Sequence, residues 1–259
     1  MSESGMIPVD GGVDSKALED LAKHLKVESP YFDHSKINDP EPRFVCWLDL
    51  VGASNAMKLS LPRAANFIGK IHVAGLRAAS GTPVKAYPVI DGFYAIAANK
   101  VAISDFLRKS IAPLAVAFAT EKDHYKRFLI RCGLAFGPVI EGTELAKGAK
   151  ELAKAKCYSD NVAIGIAISQ AYESEKLAPF FGVHIHESAR AFAPHGAKPF
   201  GSAFHHWLKP GNADDAALSK IMKIELSRYF DWAKQHANTI LFPTEKLPHY
   251  QQLCAEYFE

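Results

Sequence analysis

The chain has 259 residues, 48% hydrophobic and 22% charged, which suits one domain with extensions or two small domains around a full core. Its 30 basic and 28 acidic residues leave a net charge of +2. That is too mild for a polyanion-binding surface, and no basic run with interleaved aromatics occurs, so nucleic acid is not expected as a partner. The longest apolar stretch, 111–120, is too short to span a bilayer, and the first residues lack the apolar core of a signal peptide, so the cytoplasm is the expected location.

Four cysteines, Cys46, Cys132, Cys157 and Cys254, are scattered without a CxxC pair. They read as buried free thiols in a reducing compartment rather than a structural zinc site.

Residues 1–14 read as a flexible lead and 15–26 as a short helix with Ser15 at its N-cap. Pro30, Pro40 and Pro42 make 27–42 a linker or extended arm. FVCWLDLVG (44–52) is a short apolar run ended by Gly52 and reads as a buried strand. Helical periodicity follows over 56–79, with Pro62 able to break its first turn. VKAYPVID (84–91) and GFYAIAA (92–98) are strand-like runs joined at Asp91-Gly92, a hairpin signal. A helix is predicted over 102–122, a buried strand over 127–137 and a helix over 141–155. A further helix, capped by Asp160, is predicted to run to about 176. Strands are predicted over 180–186 and 204–209, with a short helix at 187–193 between them. Asn212 or Asp214 can cap a long amphipathic helix, and Pro243 and Pro248 punctuate a helical tail. The early hairpin argues for a mixed or antiparallel sheet with helices packed on it, an α/β (α+β) fold. The expected division is 1–42 as N-terminal helix and linker, 43–209 as the catalytic domain and 210–259 as a C-terminal helical extension.

Asp49 ends an apolar strand, where a carboxylate is costly unless paired or metal-bound. Asp91 stands at a hairpin tip, where Asp-Gly is also ordinary turn chemistry. If the first strand lies beside the hairpin, the two carboxylates can share one spot and repel unless a divalent cation sits between them. Hard oxygen donors of this kind suit Mg²⁺ or Mn²⁺ bridging protein and phosphate. Gly52 and its small neighbours let the backbone approach a ligand, with helix-entry amides beyond.

Four segments, FVCWLDLVGAS, KAYPVIDGFYAIA, RFLIRCGLAFGPVIEG and CYSDNVAIGIAISQAYE, resemble in order the signature blocks of class III nucleotide cyclase catalytic domains, over roughly 43–209. The resemblance implies a ferredoxin-like sandwich and a head-to-tail homodimer with active sites at the interface. It implies two Mn²⁺ or Mg²⁺ ions per site on Asp49, Asp91 and the carbonyl of Leu50. The amides of Gly52, Ala53 and Ser54 would receive the phosphates of a nucleoside triphosphate, which would close to a 3′,5′-cyclic monophosphate and pyrophosphate.

The departures from that pattern bear on the base. Tyr87 stands where purine cyclases place a base-reading lysine or glutamate, and the second base-reading position falls near Lys156 and Cys157. A phenol can fill the space left by a smaller base. In both respects the chain is similar to the pyrimidine cyclases of bacterial anti-phage (Pycsar) systems. That similarity implies UTP in preference to CTP as substrate, no membrane contact and a separate cyclic-nucleotide effector downstream. The family's catalytic Asn and Arg fall near Ala163 and Ala167, so Arg131 and Lys156 are the nearest candidate cations, though strand-end or surface roles suit both. A purine cyclase, or an inactive nucleotide-binding sensor domain, are the alternatives. Alternating His184 and His186 share a strand face, but no third ligand stands at metal-binding spacing.

Overall fold

The computed structural model describes residues 15–25, 30–242 and 244–259. The lead expected over 1–14 and part of the linker lie outside them. Helix α1 (Ser15–Leu25) comes first. Strand β1 (Glu41–Leu50) leads into α2 (Ala53–Leu59) and α3 (Leu61–Ala79). Ser60 separates these two helices. It accepts from the Arg63 amide, and Pro62 sits in the first turn of α3, where a missing N–H costs nothing. The hairpin β2 (Lys85–Val89) and β3 (Gly92–Ala97) follows, then α4 (Lys100–Thr120) and β4 (Ile130–Glu141). Beyond β4 come α5 (Gly142–Leu145), α6 (Lys150–Lys154), α7 (Lys156–Asn161), β5 (Ala163–Ile164) and α8 (Ile166–Glu175). The chain closes with β6 (Val183–Ile185), α9 (Glu187–Ala191), α10 (Ala213–Gln235), α11 (Ala237–Ile240) and α12 (Leu247–Tyr257).

The sheet runs β2-β3-β1-β4 with every neighbour antiparallel, and β4 carries β5 antiparallel and β6 parallel on its outer edge. A βαββαβ order with β1 at the centre is the ferredoxin-like arrangement, and the parallel β6 makes the sheet mixed. Alternation along β1 divides its side chains. Phe44, Cys46, Leu48 and Leu50 face the main core under α3 and α4. Val45 and Trp47 face a smaller cluster with Tyr87, Ile96, Ala167 and Ala171 under α8. Asp49 follows Trp47 by two and so shares the α8 face.

Several expectations change. The hairpin turn is Ile90-Asp91, one residue earlier than the sequence suggests, because Val89 pairs with Gly92. The helix expected over 141–155 is broken into short pieces, since Gly142 packs bare against the carbonyls of Ser159 and Val162. Asp160 lies inside α7 rather than capping α8, which starts after Gly165 without a side-chain cap. Segment 204–209 is not a strand. It makes one bridge to β6 at Phe204, after which Trp207 donates to the Phe181 carbonyl and Tyr257 to that of His205. Cys46, Cys132 and Cys254 are buried free thiols, whereas Cys157 is exposed. Residues of 210–259 join the core of the sheet domain through Met222, Leu226, Phe230 and Phe258. Among the described residues no helix is long and apolar enough to cross a membrane.

Candidate active site

Strand pairing brings the two aspartates together. Asp49 is the register partner of Gly92 on β3 and of Arg131 on β4, and Asp91 immediately precedes Gly92. The Leu50 amide donates to the Asp91 carbonyl at 3.2 Å, tying the turn to the end of β1. From α3, His72 Nε2 bonds the carbonyls of Gly92 at 2.9 Å and Val89 at 3.1 Å, clasping the turn from its other side. Gly92 itself admits no side chain, because a Cβ there would stand 2.1 Å from the Leu48 carbonyl.

Asp49 is partly buried, and its Oδ1 is buried without a hydrogen-bond partner in the protein. Burial, then the charges of Asp91 and Glu175, push its carboxyl up to about 7, with Arg131 pulling the other way. A carboxylate so placed is short of positive charge, and cation binding is the ordinary remedy. Two hard carboxylates fit Mg²⁺ or Mn²⁺, with phosphates and water completing the shell. Among the described residues no group of three His, Cys, Asp or Glu side chains is arranged to hold a metal, so such a site would depend on substrate oxygens. Leu50 is 2% exposed, at the end of β1.

Beyond it the chain turns through Gly52, whose φ of +74° suits glycine, into α2. Ala53 is buried there, and Ser54 is exposed.

The other sequence-derived candidates divide. Tyr87 is buried on the α8 face, and its hydroxyl donates to Glu141 Oε2 at 2.9 Å, an oxygen shared with Lys85 at 3.1 Å. Burial, then Glu141, hold that phenol well above its usual range. Arg131 is engaged: its Nε donates to Glu175 at 2.6 Å and one Nη donates to the Tyr250 hydroxyl at 3.3 Å. Lys156 and Cys157 open α7, exposed, beyond the β4 end that lies away from Asp49. Ala163 lies in β5, and Ala167 is fully buried on α8.

The histidines on and after β6 have local partners. His184 Nδ1 bonds the Ser174 hydroxyl at 2.7 Å, and His186 caps α9.

Sequence reasoning missed Glu175, Glu141, His72 and Trp47. Trp47 carries a buried indole N–H without partner on the same face as Asp49. Its place two residues before Asp49 was the available signal. Glu175 lies 44 positions from Arg131, and no local pattern marks that pairing.

No protein-family model and no curated protein matches the chain. Among solved structures it is similar to the monomeric guanylyl cyclase domain of the RhoGC fusion protein from the aquatic fungus Blastocladiella emersonii, at 16% identity, covering 59% of this chain and 85% of that one, TM-score 0.44. It is also similar to a bacterial light-regulated adenylyl cyclase, at 16% identity over 52% and 69% of the two chains, TM-score 0.41. The guanylyl cyclase Cya2 is similar at 11% identity over 62% and 89%, TM-score 0.45. These likenesses concern the course of the backbone over a little more than half of this chain.

Proposed function

We propose that the chain is a nucleotide cyclase that converts a pyrimidine nucleoside triphosphate, UTP in preference to CTP, to its 3′,5′-cyclic monophosphate and pyrophosphate. The observation that carries this reading is the unpartnered Asp49 carboxylate, set beside Asp91 at the point where β1 turns through Gly52 into α2. Asp49 and Asp91 would hold Mn²⁺ or Mg²⁺, which when bound supplies Lewis acidity at the triphosphate and the attacking hydroxyl. The amides of Gly52, Ala53 and Ser54 orient the phosphates, and His72 holds the turn that positions Asp91. Tyr87, braced by Glu141 and Lys85, presents a bulky wall and one oxygen with free lone pairs towards a small base. The working unit is a homodimer, and the product is a second messenger for a separate effector in anti-phage defence. The sequence resemblance supports that setting.

A second reading has its own support. Arg131 is locked to Glu175 and Tyr250, and Ala163 and Ala167 offer no cation. That arrangement suits a domain that binds nucleotide with metal but does not turn it over.

Incubation of the protein with all four ribonucleoside triphosphates and Mn²⁺, followed by mass spectrometry, separates the readings. Cyclic UMP or cyclic CMP supports the proposal. Cyclic AMP or cyclic GMP keeps the chemistry and removes the role of Tyr87. No cyclic product, with Mn²⁺-dependent nucleotide binding retained, favours the second reading. Asp49→Asn and Asp91→Asn are each expected to lower turnover by about 10³-fold or more, since each removes several kcal/mol of charge stabilisation.

A further inference from the structure

Behind the turn that follows Asp49 lies a cavity of about 200 Å³. Arg63 on α3, His124 in the short 3-10 turn before β4, and Arg127 just after that turn form its polar lining. Arg127 is 6% exposed. Its Nε donates to the Glu121 carbonyl and one Nη to Glu225, each at 2.8 Å. The remaining Nη is buried without a partner in the protein, as are Arg63 Nε and His124 Nδ1. Both guanidiniums act on one phenol: burial pushes Tyr229 up to about 12, and Arg63 and Arg127 pull against it. Buried donors are rarely left unmatched, so three on one cavity call for an acceptor.

Charge and shape narrow that acceptor. Two arginines against the single carboxylate of Glu225 leave one positive charge. Burial, then Arg127, lower His124 from its usual range, so near neutral pH its ring offers either a donor or an acceptor. Phe67, Phe128, Tyr229 and Trp232 supply aromatic walls. The volume is below the roughly 300–1,000 Å³ of drug-sized ligand sites, leaving room for about one ring.

We propose that this cavity binds a compact aromatic carboxylate, its anionic group on Arg63 and Arg127 and its ring against Trp232 and Tyr229. The site is separate from Asp49 and Asp91, and its occupancy does not rest on the cyclase reading. It joins two parts of the chain. Leu50, Val51 and Gly52 line one side and Leu241 and Phe242 the other, and Asn55 Nδ2 already donates to the Leu241 carbonyl at 2.7 Å. An occupant therefore braces the turn after Asp49 against the C-terminal segment.

Calorimetric titration of the full chain with benzoate, with benzamide as neutral isostere, tests the site without any need for turnover. Benzoate is expected to bind about tenfold or more tightly than benzamide. Arg63→Gln, at a partly exposed position that leaves the Arg127–Glu225 pair intact, is expected to weaken benzoate about tenfold, and Glu225→Gln to tighten it. Hydrogen exchange over residues 50–56 is expected to slow when benzoate is added. Absent benzoate binding, equal affinity for benzamide, or unchanged affinity in Arg63→Gln overturns the site. Inorganic phosphate binding as tightly as benzoate overturns the role of the ring. Binding without slower exchange overturns the link to the turn.

Discussion

Asp49 is where the charge of the site concentrates, and its ionisation has a direct consequence for stability. Below pH about 3.8 the carboxyl is protonated in both folded and unfolded chains. As pH rises towards about 7 the unfolded carboxyl ionises while the folded one resists, so stability falls through that window and levels off above it. Asp49→Asn is therefore expected to raise stability at pH 8 by about 2–4 kcal/mol and to leave it nearly unchanged at pH 3.5, as read from urea denaturation at the two pH values. Mn²⁺ acts on the same charge. It is expected to raise the melting temperature of the native chain at pH 8 and to leave that of Asp49→Asn unmoved; an equal shift in both would remove Asp49 from the metal site. Glu175 is one of the two acids that hold Asp49 up. Glu175→Gln should lower the pH at which the native chain loses stability through Asp49, and should separately cost about 3–5 kcal/mol by leaving Arg131 buried without its partner.

At the scale of elements, the hairpin is the device that delivers Asp91. It depends on one bare position, Gly92, and one clasp, His72. Gly92→Ala sets a methyl against the Leu48 carbonyl and is expected to cost about 3 kcal/mol or more, a fall in melting temperature of roughly 6–12 °C. His72→Ala frees two carbonyls of the turn without a clash. It is expected to speed hydrogen exchange at the Leu50 amide, which donates to the Asp91 carbonyl, while melting shifts less than for Gly92→Ala.

The strands that carry the aspartates were legible in the sequence because each is a short apolar run with its own terminator, Gly52 for β1 and the Asp-Gly turn for the hairpin. Elements whose bounds depend on distant partners were not. The hydrogen bonds of 204–209 go to β6, the Phe181 carbonyl and the Tyr257 hydroxyl, so its strand-like composition did not make a strand. The pieces after β4 break where Gly142 meets Ser159, a contact made only by the folded chain. At the site, Asp49 and Asp91 could be named from local pattern. The engagement of Arg131 by Glu175 and of Tyr87 by Glu141 could not, because each pair spans more than 40 positions.

Across the whole molecule, the final 50 residues are part of the core that supports the site. Met222, Leu226, Phe230 and Phe258 are each no more than 1% exposed. At roughly 1.5–3 kcal/mol each they contribute about 6–12 kcal/mol as an upper estimate, comparable with the 5–15 kcal/mol that holds a typical domain folded. α12 also supplies Tyr250 to Arg131, and its last residue, Tyr257, donates to the His205 carbonyl at 2.5 Å. A chain ending at residue 209 is expected to show no cooperative melt and to bind an exposed-hydrophobe dye. A sharp melt at near-native temperature would show instead that 43–209 folds alone.

The burial of Phe258 sets an order of events during synthesis. β1, β3 and β4 can leave the ribosome and pair, yet the apolar side beneath α10 and α12 stays open until residue 258 has emerged. Through that interval the nascent chain carries a paired sheet with an unsealed flank, the kind of surface on which chaperones act and aggregates start. Slowing translation near the 5′ end of the message would change little. A stall within the codons for 210–258 would hold the protein in its most aggregation-prone form, and messages with rare codons there should give less soluble product than messages with rare codons elsewhere.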